Sequence, residues 1–320
     1  MGLPARMPHP RLLILSPSPA RQRVYKIERL RPGAVNRAQQ VWDCYSGKAL
    51  NAARILQQIG AAATVLSFAP EEEHSRIKAA FALHRWRLIP VSTPIRICTT
   101  LLEPDRASEL VENQAKVGRR AATAFRHAAF ELAEKCDAVL ATGSLPPDMS
   151  PEFYTELSKR CRQAGVFLIA DAHGAALKAF LERPPALLKP NLEELWAAFH
   201  KGVLPASEPR IRSFLIRVGL DIYPDGEGRI LASAGARGAW LATQGSVSLI
   251  PAPRVRVLNS VGSGDTMAGL LTLCGTLGLA PRPSARLAVA AASWQCATPL
   301  PGLLPEEKAA VLRRGLKRFL

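Results

Sequence analysis

Acidic side chains are in short supply: the 320-residue chain carries 26 Asp and Glu against 42 Lys and Arg, a formal charge of +16. Such a surplus suits either a nucleic-acid surface or an anionic small molecule. Aromatic residues make up only 6%, and neither an RRM-type aromatic pattern nor a C2H2 spacing is present. Arginine is also spread along the whole chain rather than gathered in one tract, so nucleic acid is the disfavoured partner. Long apolar runs are missing too. None approaches the roughly 18 residues that cross a bilayer, so no membrane association is expected. The early run Leu12–Leu15 is too short for a signal-peptide core, and Ser16-Pro17-Ser18-Pro19 closes it. It reads as a first strand, and the expected location is the cytoplasm. The six cysteines contain no C-x-x-C pair and no grouping with histidine, which excludes an evident metal or redox motif and leaves free, mostly buried thiols. No internal repeat is visible.

What is present is alternation. Arg11–Leu15, Thr64–Phe68, Ala138–Ala141, Val166–Ala170 and Ala186–Leu188 are continuous apolar strands, as in a parallel sheet covered on both faces. Helical patterns lie between them at Asn51–Ile59, Pro151–Ala164 and Asn191–Phe199. This βαβ rhythm predicts an α/β fold. Beyond it the pattern predicts strands at Arg229–Ala234, Ala239–Thr243 and Ser246–Ile250, then helices near 265–277, 284–297 and 306–319. Val24–Val41 and Leu88–Val111 break the rhythm with short strand-like runs, which suits a small subsidiary sheet acting as a lid. Lys201–Asp225, with Pro205, Pro209 and several arginines, reads as an irregular surface insertion. The expected organisation is one domain over 1–320 with a lid from about 20–45 and 88–113.

Ligands of open α/β folds lie at the carboxyl ends of strands, which directs attention to four junctions. In Asn259-Ser260-Val261-Gly262-Ser263-Gly264-Asp265 a glycine-rich turn opens a helix whose free N–H groups and dipole can hold an anion. Asp265 sits at the mouth of that site, where a carboxylate can take a proton from an attacking hydroxyl. It can equally be a plain N-cap or first-turn residue, favoured there by the same dipole. The stretch alone leaves both open. In Ala141-Thr142-Gly143-Ser144-Leu145-Pro146-Pro147 small residues leave room for a ligand, or simply turn the chain. Leu188-Lys189-Pro190-Asn191-Leu192-Glu193-Glu194 can be a capping arrangement and nothing more. The fourth, Ser46-Gly47-Lys48-Ala49-Leu50-Asn51-Ala52-Ala53-Arg54, is a turn that enters a helix with Asn51 on its first turn.

The order and spacing of these four stretches resemble the PfkB, or ribokinase-like, sugar kinases over about residues 11 to 298. Leu30-Arg31-Pro32-Gly33-Ala34-Val35-Asn36-Arg37-Ala38 and the form of the middle junction are most similar to the 1-phosphofructokinase and tagatose-6-phosphate kinase branch. The resemblance implies a three-layer sandwich around a mostly parallel sheet with a small β-sheet lid, and an ATP-dependent kinase of a sugar or sugar phosphate. By that likeness Asp265 is the general base, and Gly262, Ser263 and Gly264 offer backbone N–H groups to the transferred phosphoryl group. Asn191 and Glu194 match the motif associated with Mg2+ and phosphate, with Glu194 on the metal side. Ser233, Gly235 and Gly238 resemble the loop beside ATP. On the acceptor side Gly47, Lys48 and Asn51 match the sugar-binding turn and Ser144 the middle junction. Arg96 matches a lid residue that faces the substrate's own phosphate. A homodimer through the lid sheet is a further expectation.

The departures all fall at the acceptor end. Where the branch has N-P-A-x-D this chain reads Ser18-Pro19-Ala20-Arg21-Gln22, so an amide replaces the carboxylate that grips sugar hydroxyls. G-G-K-G becomes Ser46-Gly47-Lys48-Ala49, and Arg-x-Asn becomes Arg96-Ile97-Cys98. These changes point to an acceptor other than fructose 1-phosphate. They also leave room for a second reading, a non-catalytic relative that binds a nucleotide or sugar phosphate as a sensor or assembly partner.

Overall fold

The computed structural model describes residues 10–316. The chain runs β1 (Leu12–Ser16), β2 (Ala20–Lys26), β3 (Gln40–Ser46), α1 (Lys48–Gln58), β4 (Thr64–Ala69), α2 (His74–Ala80), β5 (Arg85–Pro90), β6 (Arg96–Leu102), β7 (Ala107–Val111), α3 (Arg119–Ala133) and β8 (Ala138–Thr142). It continues through α4 (Glu152–Gln163), β9 (Phe167–Asp171), α5 (Gly174–Glu182), β10 (Leu187–Leu188), α6 (Leu192–Phe199), α7 (Glu208–Ile222) and β11 (Arg229–Ser233). It closes with β12 (Ala239–Thr243), β13 (Ser246–Ile250), α8 (Ser263–Thr276), α9 (Pro281–Gln295) and α10 (Glu306–Leu316). The end of the helix expected over 306–319 lies outside the described residues.

Nine strands form the main sheet in the order β13-β12-β11-β10-β9-β8-β1-β4-β5, parallel from β11 to β5 with β12 and β13 antiparallel at one edge. Every residue of β1 and β8 is buried, because helices cover both faces and the side chains alternate between them. Leu13 and Leu15 enter a core with Phe125 of α3, Tyr154 of α4 and Phe214 of α7. Leu12 and Ile14 enter the opposite core, with Leu50 and Ile55 of α1, Leu270 of α8 and Val289 of α9. The fold is therefore a three-layer α/β sandwich. Among the described residues no helix is long and apolar enough to cross a membrane.

The second sheet has four strands in the order β3-β2-β6-β7. In β2 buried and more exposed residues alternate, unlike the continuous burial of β1, as expected when only one face is well covered. Its composition corrects the expected lid boundary. Leu88–Pro90 is the end of β5, which pairs in parallel with β4 at the edge of the main sheet; the small sheet resumes only at Arg96. Short, half-buried edge strands mix polar and apolar residues much as a subsidiary sheet does, so pattern alone did not separate them.

Lys201–Asp225 is a second correction, because α7 occupies most of it. Ile211, Phe214, Leu215, Val218 and Ile222 are its buried residues and recur at helical spacing. Pro209 lies in the first turn, where a missing N–H costs nothing. The prolines and arginines masked that apolar stripe.

From β1 the chain passes to β4 and β5 on one side of the main sheet, whereas β8, β9, β10 and β11 lie on the other. The order thus reverses between β1 and β8, which opens a crevice beyond their carboxyl ends. The small sheet springs from that end of β1 and returns to the main body directly into α1.

Candidate active site

Four segments converge on the crevice. Gly47 links β3 to α1 with φ near 100°, and a Cβ built there would lie 2.7 Å from the Ser18 carbonyl oxygen. Only glycine meets both demands. The chain then enters α1 with Lys48 and Asn51 in the first turn. At α8 the N-cap is Gly262, in the left-handed region at φ 86°, with no side-chain cap. Asp265 is thus a first-turn residue whose carboxylate is spent elsewhere.

It is spent on Asn51. The Asn51 Nδ2 donates to Asp265 Oδ2 at 2.8 Å, and the Ser46 hydroxyl donates to Asn51 Oδ1 at 2.8 Å. Asp265 is only 7% exposed. Burial pushes its carboxyl up to about 6, with Asp171 adding to the rise while Lys48, the Asn51 amide and Lys189 oppose it. A carboxylate so placed is ionised near neutral pH yet basic enough to accept a proton.

Around it lies a cluster of charge that the sequence reading only half identified. Asp171, the last residue of β9, is 3% exposed. Its Oδ1 is 3.3 Å from Lys189 Nζ and 3.4 Å from Lys48 Nζ, and its Oδ2 accepts from the Thr142 hydroxyl at 3.2 Å. Burial alone would raise its pKa, but the two ammonium groups outweigh it and hold the carboxyl below the usual range. Asp171 in turn is the main reason that the Lys48 ammonium holds its proton more tightly than usual. Lys189, 2% exposed, lies directly after β10, and its Nζ is 3.5 Å from where a Cβ on Gly264 would sit. A buried ammonium therefore faces the opening turn of α8, whose first N–H groups have no partner within the helix. Together they form a strongly anion-seeking corner. Asp171 was missed altogether. Its signal was a carboxylate closing an apolar strand at the ligand-facing end of the sheet.

The nucleotide-side candidates lie beyond Lys189. Asn191 caps α6 and forms a full capping box with Glu194: Asn191 Oδ1 accepts from Glu194 N at 2.6 Å, and Glu194 Oε2 accepts from Asn191 N at 3.0 Å. The capping account read from the sequence is thus correct, and it leaves the second Glu194 oxygen uncommitted. Ser233 bridges to Asn191 at the ends of β11 and β10. Gly235 begins a short 3-10 turn with open space around it, whereas a Cβ on Gly238 would lie 2.0 Å from the Ile250 carbonyl oxygen. The glycine at 238 is required by the close approach of β13.

The acceptor-side candidates divide. Ser144 Oγ lies 3.5 Å from Ser18 Oγ and 3.4 Å from Gln114 Oε1, in the crevice between β1 and β8. Arg96 opens β6 opposite Ala20; one guanidinium nitrogen donates to the Glu112 carbonyl at 3.2 Å, and its Nε is buried with no partner. Gln22 lies on the same face of the small sheet as Ala20 and Arg96. Its amide donates to the Thr100 hydroxyl at 2.7 Å, and both residues are buried within the small sheet.

Among the described residues no three His, Cys, Asp or Glu side chains converge as a metal cage.

Comparison with known proteins bears on this arrangement. Phosphofructokinase-2 from Escherichia coli in complex with fructose-6-phosphate superposes with a TM-score of 0.80 at 21% identity, covering 97% of this chain and 100% of that one. The tetrameric inhibited form of the same enzyme gives 0.80 at 22% identity, covering 97% and 100%. A possible 1-phosphofructokinase from Thermotoga maritima gives 0.80 at 17% identity, covering 95% and 97%. At these identities the likeness establishes the ribokinase-like fold. The sequence model for pfkB family carbohydrate kinases matches residues 19–308, and the protein accordingly belongs to that family of carbohydrate kinases.

Proposed function

We propose that the protein transfers the γ-phosphoryl group of ATP to a hydroxyl of a sugar phosphate, with Asp265 as general base. The observation that carries this reading is the state of Asp265: buried, in the opening turn of α8, held by Asn51, and with its carboxyl pushed up to about 6. At neutral pH it can take the acceptor's proton as the hydroxyl attacks. The N–H groups of Gly262 and Gly264, with Lys189 beside them, meet the charge that develops on the phosphoryl oxygens, while the Ser263 N–H donates to the Ser260 carbonyl at 3.2 Å and holds the turn. Lys48, fixed by Asp171, directs a positive charge toward the same space. Asn191, Ser233 and Gly235 lie on the nucleotide side. Mg2+ bound with ATP would neutralise phosphate charge, with the free oxygen of Glu194 as its protein ligand.

On the acceptor side Ser144 supplies hydroxyl contacts, and Arg96, with an unpartnered buried nitrogen, suits a phosphate already present on the sugar. Gln22, whose amide nitrogen donates to Thr100, puts an amide where the resembled branch has a carboxylate, and that exchange supports a substrate other than fructose 1-phosphate. Val41 and Leu110 are 54% and 64% exposed on one face of the small sheet, which supports a homodimer formed through it.

ADP release measured over phosphorylated and free sugars tests the reading. Turnover with one acceptor, lost in Asp265→Asn, is the expected result; nucleotide binding with no transfer to any acceptor, or turnover untouched by the substitution, contradicts it.

A further inference from the structure

We propose that Arg54 is a positioning residue that, through Asn51, selects which oxygen of Asp265 serves as the base. The proposal rests on Asp265 being the base and adds how the fold orients it. Arg54 lies one turn after Asn51 on α1, where side chains three apart share a face. Its Nη1 donates to Asn51 Oδ1 at 3.2 Å. Its remaining contacts are the backbone carbonyls of Tyr45 and Pro301, and its guanidinium lies over the Phe81 ring at 5.4 Å. Among the described residues no carboxylate comes within ion-pairing distance of it. A charged group set among neutral acceptors is an unusual expense for a fold, and here it has a geometric result.

A guanidinium can only donate. Arg54 and the Ser46 hydroxyl both point at the same Asn51 atom, so that atom must be the amide oxygen. The NH2 end is thereby turned to Asp265 and donates to Oδ2. An amide held by a single partner could flip and present its oxygen to the carboxylate, which would repel the ionised form. Two donors on one side remove that option. Oδ2 is then occupied, and Oδ1 is the oxygen left to receive a proton.

Other charges face the two ends of this relay. Asp265 is faced by Lys48 from α1, Asp171 from β9 and Lys189 after β10. Arg54 is faced by Cys44 of β3, and the adjoining Tyr45 is hydrogen-bonded to Glu73, near Arg21. None of these touches Asn51 Oδ1, so the relay can be cut without removing them.

The test is a titration of the full chain with 13Cγ-labelled aspartate, the Asp265 signal being identified through Asp265→Asn. Arg54→Met removes the guanidinium but keeps an unbranched apolar side chain, and is expected to raise the Asp265 pKa by about one unit, a tenfold change in proton affinity. Arg54→Lys, which keeps the charge but not the fork, should move it by about half as much. In an Asn51→Ala background Arg54→Met should add less than about a threefold change, because a residue acting through Asn51 has nothing left to act on. In ADP release kcat should fall about twofold at pH 7 and about tenfold near pH 5, its acid limb moving upward with the pKa, while the KM for ATP stays within about twofold. An unchanged Asp265 titration in Arg54→Met overturns the proposal, as does an effect fully additive with Asn51→Ala. If Arg54→Met does not fold, Arg54→Lys and Ser46→Ala decide it by the same titration. If no acceptor is phosphorylated, the functional reading fails, while the titration still decides the positioning role.

Discussion

Replacing Asp265 by Asn should make the protein more stable at neutral pH and all but inactive. The folded-state carboxyl titrates at about 6, against an ordinary value of 3.8. A raised aspartate pKa means that the fold resists ionisation, so its stability is complete below about pH 4 and is lost as the pH rises through 6. A gap of about two units corresponds to roughly 3 kcal/mol at pH 7. Asn is isosteric, cannot ionise, and can accept the Asn51 N–H through its own oxygen. The variant should therefore match the parent near pH 4 and exceed it by up to about 3 kcal/mol above pH 6.5, which for a chain of this size is a rise of several degrees in Tm. Loss of the base should lower ADP release by about 10²–10⁴. Thermal melts of both proteins from pH 4 to 8 measure the gap as a function of pH. A gap that is absent, constant across that range, or of opposite sign would refute the claim that Asp265 is held ionised at a cost to the fold.

Three other perturbations probe neighbouring parts of the structure. Asp171→Asn strands the buried Lys189 and frees Lys48 from its partner, and denaturant unfolding should show a loss of about 3–5 kcal/mol. Gly47→Ala forces a Cβ to 2.7 Å from the Ser18 carbonyl at a φ of 100°; a cost of about 1–3 kcal/mol, together with a raised acceptor KM, should appear in melts and kinetics. Gln22→Ala leaves the buried Thr100 hydroxyl without its 2.7 Å partner and should cost about 1–3 kcal/mol. Its acceptor KM should nonetheless stay within about threefold of the parent, because that amide is already committed.

The parallel strands were legible because burial on both faces writes a continuous apolar run, and the α8 turn because glycine and aspartate cluster there for reasons that act locally. What escaped detection depends on the third dimension. Asp171 and Lys189 are 123 and 141 positions from Lys48 and Asp265's turn is farther still in the chain, and their pairing is a property of which strands end side by side. Gln22 illustrates the opposite limit. Its position in the motif suggested an acceptor contact, yet an amide two residues into a β-strand can satisfy itself across the sheet, and Thr100 is the neighbour that decides it. α7 was missed because charge and proline obscured a stripe that spacing would have exposed.

The passage from β3 into α1 has a consequence for anyone who would alter acceptor choice by exchanging the small sheet between relatives. Ser46 is the last residue of β3, where the chain leaves that sheet for α1, and its hydroxyl is bonded to the asparagine that holds Asp265. The sheet is consequently not a removable module whose borders coincide with its strands. A chimera joined after residue 46 would import a foreign contact to the base along with the new binding face, whereas a junction placed before Ser46 keeps recognition and proton transfer under separate control.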